Sequence, residues 1–140
     1  MRYTLKYDEL FKEEYKTKIE DFFKYKNWVV AGSVLSEDKY ASKILKALIG
    51  AGYHTQGVNP NDTTGETNKS LKDVKFNIEV IDLCINSKMG LEVLKEARDM
   101  NINKVLIQPG AQSAEILKYC NENEITAIEG CALVELVKLN

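Results

Sequence analysis

Asn27-Trp28-Val29-Val30-Ala31-Gly32-Ser33 is the stretch that decides how the chain is read. Its apolar residues run together without alternation. That is the pattern of a strand buried on both faces, and such strands belong to parallel sheets covered by helices on each side. Gly32-Ser33 stops the run. Residues 39–51 then carry helical period, with Ile44, Leu45, Leu48 and Ile49 on one side and Gly50 and Gly52 at the C-terminal end.

The same alternation extends in both directions. Upstream, residues 8–24 predict an amphipathic helix with Phe11, Tyr15, Ile19, Phe22 and Phe23 on one face, suited to packing on the flank of a sheet. Downstream, residues 53–58 predict a second strand, broken by Asn59-Pro60-Asn61-Asp62. Residues 63–75 are polar and predict a loop, with room for a short strand near Glu66 and a helical turn near Ser70-Leu71-Lys72-Asp73. Residues 78–85 predict another buried strand, and 88–100 a helix with Met89, Val93, Leu94 and Ala97 inward. Strand 104–107 stops at Gln108-Pro109-Gly110, and helix 113–123 follows. Strand 125–128 leads through Gly130-Cys131 to a short helix carrying Leu133, Leu136 and Val137. Strands alternating with helices at this spacing predict an α/β fold: a Rossmann-like parallel sheet of about five strands, helices on both faces, preceded by an N-terminal helix. In such sheets a ligand sits outside the carboxyl ends of the strands, at the switch point of their order.

At 140 residues and 44% apolar, the chain is expected to form one domain, 1–140, with residues 1–26 packed on it. A net charge of -2 with 29% charged residues carries no basic excess, which argues against nucleic-acid binding. The charged N-terminus has no apolar signal region, and no stretch approaches the roughly 20 apolar residues of a membrane span. Cys84, Cys120 and Cys131 fit no zinc or CxxC spacing, so neither a metal site nor a redox motif is expected. Free thiols in such a chain fit a reducing cytoplasm.

Three breaks follow three strands: Gly32-Ser33, Asn59-Pro60 and Gln108-Pro109-Gly110. All are expected on one edge of the sheet. Gly32 feeds a helix N-terminus, where free N–H groups and the helix dipole favour an anion such as phosphate. A side chain at Gly32 is therefore expected to stand in the ligand's place. Ser33 adds a hydroxyl. The nicotinamide-dinucleotide fingerprint fails in both halves: the loop after the first strand has one glycine, and the second strand ends in Gly57-Val58-Asn59-Pro60 without an acidic residue. No P-loop occurs. Lys39 and Lys43, spaced i,i+4, share a helix face and either meet phosphates or line a solvated surface. His54, the only histidine, falls early in its strand, away from the ligand edge. Cys131 has two readings, a thiolate favoured by a helix N-terminus or a buried thiol. Asp82 is the odd charge inside an apolar strand, expected to face a polar partner or close a sheet edge. No nucleophile, base and orienting group converge on the loops, so no catalytic residue is expected.

These loops carry a resemblance. Val29-Val30-Ala31-Gly32-Ser33, Gly52-Tyr53, Val58-Asn59-Pro60, Gln108-Pro109-Gly110, and Cys131 with Glu135 occur in an order and spacing that resembles the small coenzyme A-binding domain proteins. These are similar to the CoA-binding part of the succinyl-CoA synthetase α subunit. Gly65-Glu66 to Ser70-Leu71 fits a stretch common in that family. The resemblance implies coenzyme A, or an acyl-CoA, as ligand. It matches Gly32, Ser33 and Val34 to the first phosphate-contacting loop, and Asn59 and Pro60 to the second-strand loop. Gln108, Pro109 and Gly110 match the loop near the pantetheine and pyrophosphate, and Lys39 and Lys43 match positions that are often basic. Where the family often shows basic or proline residues, this chain departs with Ile85-Asn86-Ser87, and Asn86 is counted with the site. The expected role is a non-catalytic binding or sensing module. The alternatives are a subunit or remnant of an acyl-CoA synthetase-type enzyme that needs a partner, or a sensor binding NAD or ADP.

Overall fold

The computed structural model describes residues 4–139. The elements in chain order are β1 (Thr4–Lys6), α1 (Lys12–Phe22), β2 (Asn27–Gly32), α2 (Tyr40–Gly50), β3 (His54–Val58), β4 (Val80–Cys84), α3 (Ser87–Asp99), β5 (Lys104–Ile107), α4 (Ala114–Glu122), β6 (Thr126–Glu129) and α5 (Ala132–Leu139). Six strands form one sheet in the order β1-β6-β5-β4-β2-β3, and every pairing is parallel. The expected Rossmann-like α/β architecture is thus observed, with one strand more than the five expected. The extra strand is β1, which lies along β6 with Leu5 opposite Ile128.

The unbroken apolar run of β2 has its predicted cause. Trp28, Val29, Val30 and Ala31 are all fully buried. Their side chains alternate between two cores. Trp28 and Val30 enter the core formed with α1, α2 and α5, whereas Val29 and Ala31 enter the core formed with α3 and α4. Trp28 is anchored by stacking on Phe23, ring centroids 4.8 Å apart, and by its indole N–H donating to the Tyr25 carbonyl at 2.8 Å. Tyr53 closes the same corner, its hydroxyl donating to the Phe23 carbonyl at 2.8 Å.

Some helix faces differ from the periodicity reading. In the N-terminal segment the α-helix starts at Lys12 after a single 3₁₀ turn at Glu9–Phe11, so Phe11 does not share the buried stripe of Tyr15, Ile19 and Phe22 and is exposed. Ile49 and Val137 are exposed as well. Each stands on the shoulder of a short helix, where the residue one position away already fills the core. The loop between β3 and β4 is held at several points. Val58 bridges Asn68 in parallel, and a 3₁₀ turn at Leu71–Asp73 buries Leu71. Glu96 of α3 accepts hydrogen bonds from the Ser70 hydroxyl and the Leu71 N–H.

The strand order sets the site. The chain leaves β2 for the edge strand β3, then returns across the sheet to β4 on the other side of β2. That reversal is the topological switch point, and the groove for a ligand opens above the carboxyl ends of β2 and β4. No helix among the described residues is long and apolar enough to cross a membrane.

Candidate functional site

A crevice of about 400 Å³ lies at that place, within the range of small-molecule sites. Its lining comes from the ends of four strands and the start of one helix: Ser33 after β2, Asn59 and Asn61 after β3, Cys84, Ile85 and Asn86 at the end of β4, Gln108 through Ala111 after β5, and Lys39, Tyr40 and Ala41 at the start of α2. A larger hollow of about 600 Å³ sits at the opposite edge, between residues 98–103 and 122–125. There α3 and α4 end, so the nearest backbone groups are carbonyls, which repel anions.

Of the residues singled out in the sequence, Ser33, Lys39, Asn59, Asn86, Gln108, Pro109 and Gly110 come together in this crevice. Four others do not line it. Val34 is buried, and its methyl groups occupy the space left by the missing side chain of Gly57, where a Cβ would meet Val34 Cγ2 at 2.5 Å. Its N–H is bonded to the Gly32 carbonyl at 2.9 Å. Pro60 turns toward a hollow on the α3 side with Lys69 and Glu92. Lys43 is exposed one helical turn along α2, with Nζ 5.5 Å from the centroid of the Tyr40 ring. Gly32 lies below the rim. A Cβ built on it points into the protein, 2.2 Å from the Cys84 carbonyl oxygen and 2.9 Å from Ala41 Cβ. A side chain there would strike the neighbouring strand rather than stand in the ligand's place, so that expectation is corrected.

The N-terminus of α2 is the electrostatic feature of the crevice. Lys39 precedes the helix and provides no side-chain cap. The N–H groups of Tyr40, Ala41 and Ser42 have no hydrogen-bond partner among the described residues. The helices on the other side of the sheet are closed: Asn86 Oδ1 accepts from the Met89 N–H at 3.0 Å, and Ser113 Oγ from the Ile116 N–H at 3.1 Å. Three open donors, the positive end of the dipole and the adjacent Lys39 make a place for an anion. Asn86, by contrast, spends one carbonyl oxygen on capping α3.

The far wall is a tight turn. Gln108 accepts at its carbonyl from Ala111 N–H at 2.9 Å, and Gly110 lies in the left-handed region at φ 100°. That backbone favours glycine. The Gln108 side chain is only 6% exposed. Its Nε2 donates to Cys131 Sγ at 3.1 Å, and its Oε1 is buried without a partner. Behind it, on the same face of β4, sit Cys84 and Asp82. Burial pushes the Cys84 thiol up to about 12, with the neighbouring Asp82 and Cys131 adding to the effect. Asp82 is fully buried on a central strand with neither carboxyl oxygen hydrogen-bonded. It therefore neither faces a polar partner nor closes a sheet edge, and both expectations for it are corrected. Burial raises its pKa to about 8. Glu135, also buried, accepts from the Tyr15 hydroxyl at 3.3 Å and stands 3.5 Å from Lys138 Nζ. His54 is exposed at the start of β3, away from the crevice, as expected. Sequence reasoning passed over Tyr40 and Asn61. The signal for both was present, since each lies within two residues of a position already singled out.

A family profile described as a CoA binding domain matches residues 26–137. The chain belongs to the CoA binding domain family. Its matched segment runs from the residue before β2 into α5, so it contains every wall of the crevice. A search of the curated proteins finds no match. Among solved structures, a conserved hypothetical protein from Pyrococcus furiosus is 30% identical, with TM-score 0.70, covering 79% of this chain and 99% of its own. A hypothetical protein from Pyrococcus horikoshii shares the fold at 24% identity and TM-score 0.77, covering 88% of this chain and 90% of its own. The same fold recurs within an acetyl-coenzyme A synthetase from Ca. Korarchaeum cryptofilum, at 13% identity and TM-score 0.56, over 75% of this chain and 26% of the synthetase. This CoA binding domain thus matches the two Pyrococcus proteins over nearly their whole length and the synthetase over about a quarter.

Proposed function

We propose that the chain holds coenzyme A, or an acyl-CoA, in the crevice at the carboxyl edge of its sheet, as a cytoplasmic binding or sensing module with no chemistry of its own. The observation that carries the reading is the uncapped N-terminus of α2 opening on the crevice beside Lys39 and Ser33. Open N–H donors at the switch point suit a ligand phosphate, and family membership supports coenzyme A as the phosphate-bearing ligand. The missing acidic residue at the end of β3, where Asn59 stands, weighs against a dinucleotide with a free ribose hydroxyl.

Calorimetry with CoA and NAD tests this directly. CoA is expected to bind at least about tenfold more tightly, a difference of about 1.4 kcal/mol. NAD binding as tightly as CoA would sink the reading. Mass spectrometry of ligand released from protein purified without added cofactor is the independent check, and a CoA or acyl-CoA mass is expected.

The synthetase neighbour favours a second reading, in which the chain is one part of an acyl-CoA enzyme completed by a partner. The two separate on turnover. The isolated chain is expected to release no free CoA from acetyl-CoA above the buffer rate. Steady release, abolished by Cys131→Ala, would make the chain an enzyme and Cys131 its nucleophile.

A further inference from the structure

We propose that Tyr40 is the platform on which the adenine base of the ligand stacks; this rests on the coenzyme A reading above and names the residue that would read the nucleotide end. Tyr40 is the only aromatic residue lining the crevice among the described residues. It is 62% exposed. The positions of α2 that build the core are Ala41, Ser42, Ile44 and Leu48, so the fold leaves the Tyr40 ring unused. By contrast Phe23, Trp28 and Tyr53 are spent on packing: Phe23 stacks on Trp28, and Tyr53 meets both rings edge-on in the corner beside β2.

Three features around the ring point to a nucleotide rather than to a plain apolar group. Tyr40 is the first residue of α2, so its own N–H is one of the three open donors, and a phosphate held there lies next to the ring. Lys39 immediately precedes it and lines the crevice, while Lys43 puts its ammonium 5.5 Å from the ring centroid. An exposed ring with the Lys43 ammonium over one face, next to Lys39 in the chain and at a helix N-terminus, matches a base joined to phosphates, since the base gains from stacking on the ring and the phosphates from the charge. The pantetheine arm offers no ring. It is left for the wall made by Gln108 and Ile85, whose lining is uncharged.

The test uses the full chain with CoA as probe, and the variants Tyr40→Ala and Tyr40→Phe. An exposed ring contributes little to the fold, so both variants are expected to melt with the wild type. Tyr40→Ala is expected to weaken CoA binding by about tenfold, and Tyr40→Phe to keep it within about twofold. A second readout is the adenine absorbance of CoA, which stacking lowers. It is expected to fall on binding to wild type and Tyr40→Phe and to stay level with Tyr40→Ala. Unchanged CoA affinity in Tyr40→Ala overturns the inference, as does an affinity loss with the same absorbance change in all three proteins. A wild type that binds no CoA removes the functional reading itself and this inference with it, and is recognised before any variant is made.

Discussion

Asp82→Asn is expected to flatten the pH dependence of stability between about pH 4 and pH 8. The carboxyl sits on the central strand β4, opposite Val30 and Leu106, with no hydrogen bond to either oxygen. Burial raises its pKa from 3.8 to about 8. The sign follows from proton binding. Below pH 3.8 both folded and unfolded chains hold the proton, and the group is neutral in its effect. Above that the unfolded chain releases its proton while the folded one keeps it. Stability is therefore lost at about 1.4 kcal/mol per pH unit until the folded carboxyl ionises near pH 8, beyond which the loss is constant. At pH 7 the difference is on the order of 4 kcal/mol, or roughly 14 °C in Tm for a chain of this size. Asparagine keeps the shape and cannot ionise. The variant should match the wild type near pH 4 and exceed it near pH 8. Two thiols and one other carboxyl that the fold shifts act outside this window. The Cys84 and Cys120 thiols are pushed up to about 12 by burial. Asp62 is held low by the Thr64 hydroxyl and backbone N–H groups, and acts on the acid side. Urea melts of both proteins at four or five pH values decide it, and parallel stability curves would show that Asp82 reaches water in the folded chain.

How much of this could be read from residue order depends on the length of the signal. The run from Trp28 to Ala31 is fully buried on two faces, and its shortness, its β-branched valines and the Gly32-Ser33 stop pointed to a central parallel strand. Gly, Pro and Asn at the strand ends marked the edge where Ser33, Asn59 and Gln108 through Gly110 meet, because chain reversal needs those residue types. β1 escaped notice because three residues, only two of them buried, carry no period. The direction of individual side chains was not legible either. Val34 turns inward because residue 57 lacks a side chain, a condition set by a strand more than twenty positions away. Tyr40 points outward because Ala41 and Ile44 are the residues of α2 that meet the sheet, which periodicity alone leaves ambiguous at a helix start. Asp82 broke the apolar pattern of its strand. Its burial without a partner depends on α2 and α5 closing over that face, which is tertiary information.

Gly32→Ala is expected to destabilise the fold before it touches ligand binding. Strands β2 and β4 run parallel with Gly32 opposite Cys84, and the first turn of α2 crosses over the same point. The Cβ of an alanine would lie 2.2 Å from the Cys84 carbonyl oxygen and 2.9 Å from Ala41 Cβ. A backbone carbonyl inside a sheet cannot swing aside as a flexible side chain can. The strand end, the helix start, or both must move, and with backbone as the obstacle the cost is expected at the upper end of the usual range for overpacking, about 3 kcal/mol. For a chain of this size that is a Tm lower by roughly 10 °C, with Gly32→Val worse. Gly110→Ala is the comparison that separates overlap from conformational preference. A Cβ at Gly110 meets nothing within 4 Å, so its cost comes only from φ 100° and is about 1–2 kcal/mol. If Gly32 matters through the approach of β4 and α2, the Gly32 variant is the less stable of the two. Saturating CoA should then recover part of its Tm, because ligand binds only the folded chain. A Gly32→Ala protein that melts with the wild type and has lost CoA binding would reverse the assignment: the glycine would serve the phosphate, and the contact with Cys84 would be one the strands can relax.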